Sequence, residues 1–135
     1  MRLLLVLVIL VLSGCWGYSQ KLPADTSYPL CLQFVSHCCG VPSEAPVKEY
    51  IDSFKLNQHI PEIKAIHIGP LGREGEYRIV FTLNELNDTQ KAAFISGLKN
   101  VRKQGDDPGD IHILTDERIN MQEFPKRTKQ TEISF

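Results

Sequence analysis

The sequence predicts an α+β domain: a four-stranded antiparallel sheet of strand order 4-1-3-2 with two helices on one face. Three observations carry this. Four stretches follow the two-residue alternation of strands, two others repeat apolar residues at helical spacing, and their order is β-α-β-β-α-β. Right-handed crossovers then place strand 3 beside strand 1 and strand 4 on its other side.

Leu30-Cys31-Leu32-Gln33-Phe34-Val35-Ser36 is the first strand, with Leu30, Leu32 and Phe34 on one face. His37-Cys38-Cys39-Gly40-Val41-Pro42 is the loop that follows. Ser43 is placed to cap the first helix and Glu44 to face its positive end. Pro46 falls in the first turn, where a missing N–H is tolerated. Val47, Tyr50, Ile51 and Phe54 keep helical spacing to about Gln58. Ile63 to Ile68 is the second strand, and the glycine-rich turn Gly69–Gly75 leads to the third. There Tyr77, Ile79, Phe81 and Leu83 alternate with Arg78, Val80 and Thr82. Asn87 and Gln90 form a capping-box pair for the second helix, Phe94, Leu98 and Val101 its apolar stripe, and Gly105 its stop. A turn at Asp106-Asp107-Pro108-Gly109 precedes the fourth strand, Ile111 to Leu114.

This order resembles that of ferredoxin-like domains. Leu30, Leu32, Phe34, Ile66, Ile68, Ile79, Phe81, Leu83, Ile111 and Ile113 are expected beneath the helices. Gln33, Val35, Ala65, His67, Arg78, Val80, Thr82 and His112 are expected on an open face, wet but apolar enough to bind something. Strands 1 and 2 run one way and strands 3 and 4 the other. The topology therefore predicts that the His37–Gly40 loop, the Gly69–Gly75 turn and Asp106–Asp110 meet at one end of the sheet.

Ahead of the domain, Arg2 precedes an unbroken apolar run from Leu3 to Leu12. Ten residues are too few to span a bilayer, which takes about 20, but they suit the core of an export signal. Leu12-Ser13-Gly14-Cys15 follows, and here the chain resembles a bacterial lipoprotein precursor. The resemblance implies cleavage before Cys15, lipid on that residue, and a membrane anchor in the cell envelope. The rival is cleavage near Gln20, after Gly17-Tyr18-Ser19, which releases a soluble product outside the cytoplasm. The expected organisation is a signal peptide over 1–14, a lipidated cysteine and flexible tether over 15–29, the domain over 30–116, and a polar C-terminal tail over 117–135. In that tail Ile119, Met121 and Phe124 are the residues able to pack back.

The 135 residues carry 15 Lys+Arg and 16 Asp+Glu, a formal charge of −1. Nothing in that balance draws the chain to nucleic acid. With Cys15 lipidated, three thiols remain. Cys31 and Cys38 lie on and just beyond one strand, roughly 20 Å apart at about 3.3 Å per residue, too far for a disulfide. Cys38 and Cys39 precede a helix N-terminus, which favours thiolate. Soft ligands of that kind suit Cu(I) or Zn(II), and His37 adds an imidazole. The loop position is similar to that of the metal-binding CxxC in heavy-metal-associated domains, but here the cysteines are adjacent. In Gly72-Arg73-Glu74-Gly75-Glu76, glycines flank a charged pair, so Arg73, Glu74 and Glu76 join Cys38 and Cys39 as ligand- or partner-binding candidates. His67 and His112, on opposite edge strands, are expected roughly 14 Å apart at about 4.8 Å per strand, too far to share a metal.

No complete catalytic set emerges, and no cofactor is required. The expected function is a non-catalytic module in the cell envelope, anchored by lipid, that binds an envelope protein or a small ligand through the open sheet face or the loop end. The alternative is a metal-binding (Cu or Zn) or thiol-redox protein that uses Cys38 and Cys39.

Overall fold

The computed structural model describes residues 25–101 and 108–135. The leader, Cys15, the alternative cleavage point at Gln20, and Asp106 and Asp107 lie outside the described residues. The elements are β1 (Asp25–Ser36), α1 (Ala45–Gln58), β2 (Lys64–Gly69), β3 (Tyr77–Phe81), α2 (Asp88–Leu98), β4 (Gly109–Asn120) and β5 (Lys129–Ser134), with a single 3₁₀ turn at Met121–Glu123. They form one sheet in the order β4-β1-β3-β2-β5, and every neighbouring pair is antiparallel.

The helices form for local reasons. At the start of α1 the Ala45 N–H donates to Ser43 Oγ at 3.1 Å, and Val47, Ile51 and Phe54 bury one stripe. The helix stops where His59 turns left-handed, at φ 57°. The capping box of α2 is closed: Gln90 N–H donates to Asn87 Oδ1 at 2.9 Å and Asn87 N–H to Gln90 Oε1 at 3.0 Å. Phe94 and Leu98 bury the inner stripe of α2. The lack of a side chain at Gly97 lets the Tyr50 hydroxyl of α1 approach α2 and donate to the Phe94 carbonyl at 3.1 Å. Both helices pack on one sheet face over Leu30, Leu32, Phe34, Ile79, Phe81 and Leu83, with Ile111 and Ile113 at the margin.

Four expectations need correction. The sheet has five strands, because residues 117–135 are built into the domain rather than hanging off it. They complete β4 and supply β5, which pairs with β2 from Gly69↔Lys129 to Lys64↔Ser134. An open β2 edge would leave a row of backbone donors and acceptors unpaired. A polar strand closes that edge well, and β5 commits only Ile133, followed by Phe135, to the core.

The tether expected to reach residue 29 ends sooner, since β1 begins at Asp25 and pairs with β4 back to Asn120. At Pro29 and Asp116 the two strands exchange faces. Leu30 lies under the helices, whereas Tyr28 lies on the reverse face. Pro29 has no N–H to give a ladder, and Asp116 takes φ 55°.

The phase of β2 is the reverse of that expected. Ala65 packs under the helices, and Ile66 and Ile68 on the other side. Alternation alone could not decide, because both faces of β2 carry apolar residues. His67 consequently faces the helix layer and stacks on Tyr77 at 4.7 Å.

The reverse face is not uniformly wet. Tyr28, Cys31, Ile68, Val80 and Ile119 form a second core, against which Ile66, Leu71, Leu114, Met121 and Phe124 pack. Arg78 crosses this layer with its guanidinium 5.5 Å from the Phe124 ring centre and 3.2 Å from Glu117 Oε1.

Candidate functional site

Two regions bring chemically distinctive residues together. The first is a groove of about 620 Å³ on the reverse face, over the ends of β2, β3 and β5. That volume lies within the range of about 300–1,000 Å³ usual for small-molecule sites. Strand alternation puts Lys64 and Ile66 of β2, Val80 and Thr82 of β3 and beyond, and Glu132 and Ser134 of β5 side by side. The turn after β3 adds Asn84 and Glu85.

That turn is bent by Leu83, which is fully buried yet sits at φ 54°. A bulky residue in the left-handed region carries strain that its surroundings must hold. The turn closes with the Leu86 N–H donating to the Leu83 carbonyl at 3.2 Å. Leu83 keeps the turn tied to the core while Asn84 and Glu85 line the groove. One carboxylate oxygen of Glu85, Oε2, is closed off from solvent and has no hydrogen-bond partner among the described residues. Lys64, the cation of the groove, already pairs with Glu62 at 3.3 Å. Hydrogen bonds from Lys64 and Ser134 hold the Glu62 carboxyl below its ordinary value. The uncommitted charge in the groove is thus acidic, from Glu85 and Glu132.

The second region is the loop end. His37 N–H and Cys38 N–H both donate to the Pro108 carbonyl, at 2.9 and 3.3 Å, and His37 Nε2 lies 2.7 Å from Asp110 Oδ2. Cys38 and Cys39 are exposed free thiols. Cys39 takes φ 66° and Gly40 φ 122°, so the chain turns sharply before α1. The Cys39 thiol is pushed up by the hydrogen bond it shares with Cys38, then by desolvation and by the nearby Glu74 charge. The expected meeting of the first loop, the hairpin turn and the approach to β4 is therefore present for the described residues.

The hairpin turn is organised by its own groups. Leu71 N–H donates to the Glu76 carbonyl at 2.6 Å, Glu74 N–H to Glu76 Oε2 at 3.2 Å, and Arg127 to the Gly72 carbonyl at 2.9 Å. Glu76 thus serves the turn, while Arg73 and Glu74 are exposed. Of the expected ligands Cys38, Cys39 and His37, the two thiols are neighbours, while the imidazole turns to Asp110. Among the described residues no three His, Cys, Asp or Glu side chains are grouped to hold a metal ion. Cys31 is fully buried on β1, an interior strand between β4 and β3, and burial pushes its thiol up to about 11.

A further polar line was not foreseen. Tyr77 is sandwiched between Phe34, at 4.4 Å, and His67, and its hydroxyl donates to Glu44 Oε1 at 2.7 Å. Lys48 Nζ approaches Glu44 Oε2 at 2.8 Å. Burial works to raise the Glu44 carboxyl, but the hydrogen bonds of Lys48 and Tyr77 overcome it and hold the group below its ordinary value. Burial, and then Glu44, push the Tyr77 phenol far upward.

Among the described residues no helix is long and apolar enough to cross a membrane. Comparisons with protein-family models, with curated proteins and with solved structures gave no match.

Proposed function

We propose that the protein is a small, exported, non-catalytic binding module, anchored in the bacterial cell envelope by lipid on Cys15, that takes a small ligand in the groove between β2, β3 and β5. The groove itself carries the reading. It opens beside the second core on the reverse face, and it joins the partly exposed Ile66 to the carboxylates of Glu85 and Glu132, with one Glu85 oxygen lacking a hydrogen-bond partner among the described residues. A protonated amine with a short apolar body fits this chemistry. Its ammonium group offsets the Glu85 and Glu132 charges, and its chain covers Ile66 and the Thr82 methyl.

The test is a titration of the protein with n-hexylammonium and with n-hexanol, followed by amide chemical shifts. Saturable shifts at Ile66, Val80, Thr82 and Glu132 with the ammonium, and affinity about tenfold lower in Glu85→Gln, support the reading; tenfold corresponds to about 1.4 kcal/mol. Equal binding of the alcohol refutes the amine preference and leaves the groove standing. Silence of the groove toward both probes refutes the groove as the binding surface. Acylation is tested separately: labelled fatty acid should be incorporated in the native chain and not in Cys15→Ser.

A further inference from the structure

The paired thiols lie at the loop end and take no part in the groove. We propose that Cys38 and Cys39 form a reversible dithiol site that reacts with small-molecule disulfides of the glutathione type and closes into a disulfide between the two neighbouring residues. Three observations carry this. Both sulfurs are exposed, so a small disulfide can reach either one. The two thiols stand on adjacent residues of one sharp turn, where Cys39 takes φ 66° and Gly40 φ 122°, so each has the other as its neighbour. The third described thiol, Cys31, is fully buried between β3 and β4 and cannot compete for either partner.

The chemistry balances within the named reactants. One thiolate attacks the small disulfide, forming a mixed disulfide and releasing one small thiol. The neighbouring thiolate then attacks the protein sulfur of that mixed disulfide. The S–S bond to the adduct breaks, the bond between Cys38 and Cys39 forms, and a second small thiol leaves. The two cysteines are oxidised, the small disulfide is reduced, and two protons pass to the released thiols.

Geometry makes the product labile. Adjacent Cα atoms across a trans peptide are about 3.8 Å apart, shorter than the ~4.4–6.8 Å usual for a disulfide. Strained and exposed disulfides are the readily reduced ones, so this bond opens again rather than serving as a staple. The loop also gives the change a route outward. Cys38 N–H and His37 N–H hang on the Pro108 carbonyl, and the His37 ring on Asp110. Twisting the Cys38–Cys39 peptide to close the ring pulls on that anchorage at the start of β4.

The test uses the full purified chain carrying Cys15→Ser, so that Cys38 and Cys39 are the accessible thiols, reduced and then exposed to oxidised glutathione and read by intact mass and by mass spectrometry of the peptide holding both cysteines. The expected product is a monomer lighter by two hydrogens, linked within that peptide and reopened by excess reduced glutathione. Cys38→Ser and Cys39→Ser should each stop at a single glutathione adduct. Both positions are exposed, so retained thermal unfolding of the variants checks the fold. Lasting adducts on both thiols, a disulfide-linked dimer, or no reaction would each overturn the proposal. Amide shifts at Gly109 and Asp110 should move on closure, and their silence would overturn the coupling to β4. None of these readouts depends on the groove, so the two proposals fail separately.

Discussion

Tyr77→Phe removes one oxygen and leaves the rest of a buried stack in place. The ring keeps its contacts with Phe34 and His67, so the packing loss is small. What goes is the donor to Glu44 at 2.7 Å. A hydrogen bond to a charged group contributes about 1.5–3 kcal/mol. Glu44 retains Lys48 at 2.8 Å, and its side chain is 26% exposed, so water replaces part of the loss. The expected cost is therefore about 1–1.5 kcal/mol, or a fall in Tm on the order of 5–10 °C for a domain of this size.

The pH dependence has a definite sign. The folded-state value of Glu44 is depressed, so its contribution is present above the ordinary carboxyl value and lost as pH falls through the folded value. The gap between native and variant should thus be widest near neutrality and shrink on acidification. Tyr77 behaves oppositely. Its raised phenol contributes stability present below the ordinary value of about 10 and lost as pH rises toward the folded value. The native chain should lose more stability in alkali than the variant, which keeps the burial-raised phenols of Tyr28 and Tyr50. Urea unfolding at acid, neutral and alkaline pH measures all three. An equal gap across the acid range, or a loss below about 0.5 kcal/mol, would refute the linkage between Tyr77 and Glu44.

Further outcomes follow from the other features described. Glu85→Gln should weaken n-hexylammonium binding while holding or raising stability by about 1 kcal/mol, because it removes a charge with an unpartnered buried oxygen; loss of both binding and stability would instead make Glu85 a structural residue. Ending the chain at Thr128 removes the β5 ladder and the Ile133 and Phe135 contacts. It should lower stability by several kcal/mol, on the order of 1 kcal/mol per lost hydrogen bond, and unprotect in hydrogen exchange those β2 amides that point to β5, while those that point to β3 stay protected. Asn87→Ala opens the capping box of α2 and should cost about 1 kcal/mol in urea unfolding.

Much of the site's setting was legible in the residues. The alternation of Tyr77, Ile79 and Phe81, the stripe of Val47, Ile51 and Phe54, and the Asn87–Gln90 cap are local signals, and local physics obeys them. Chain connectivity with one crossover hand then brings His37 to Pro108 and Asp110 across the sheet. The reading failed where two surfaces compete for one strand. In β2, Ala65, Ile66 and Ile68 are all apolar enough to be buried, and a period of two cannot say which set faces the helices. It failed again at Pro29 and Asp116, where paired strands exchange faces and then resume the same register.

The amino-acid sequence by itself determined both helices, the first four strands, their order and the end of the sheet that carries Cys38 and Cys39, because helix caps, turns and alternation act within a few residues. Tertiary structure alone decided that Lys129–Ser134 is a strand, since its polar sequence earns a place only against the open edge of β2. The groove depends on the same step. Glu85 and Glu132 are 47 positions apart and become neighbours only once backbone hydrogen bonds, indifferent to side-chain type, have docked β5.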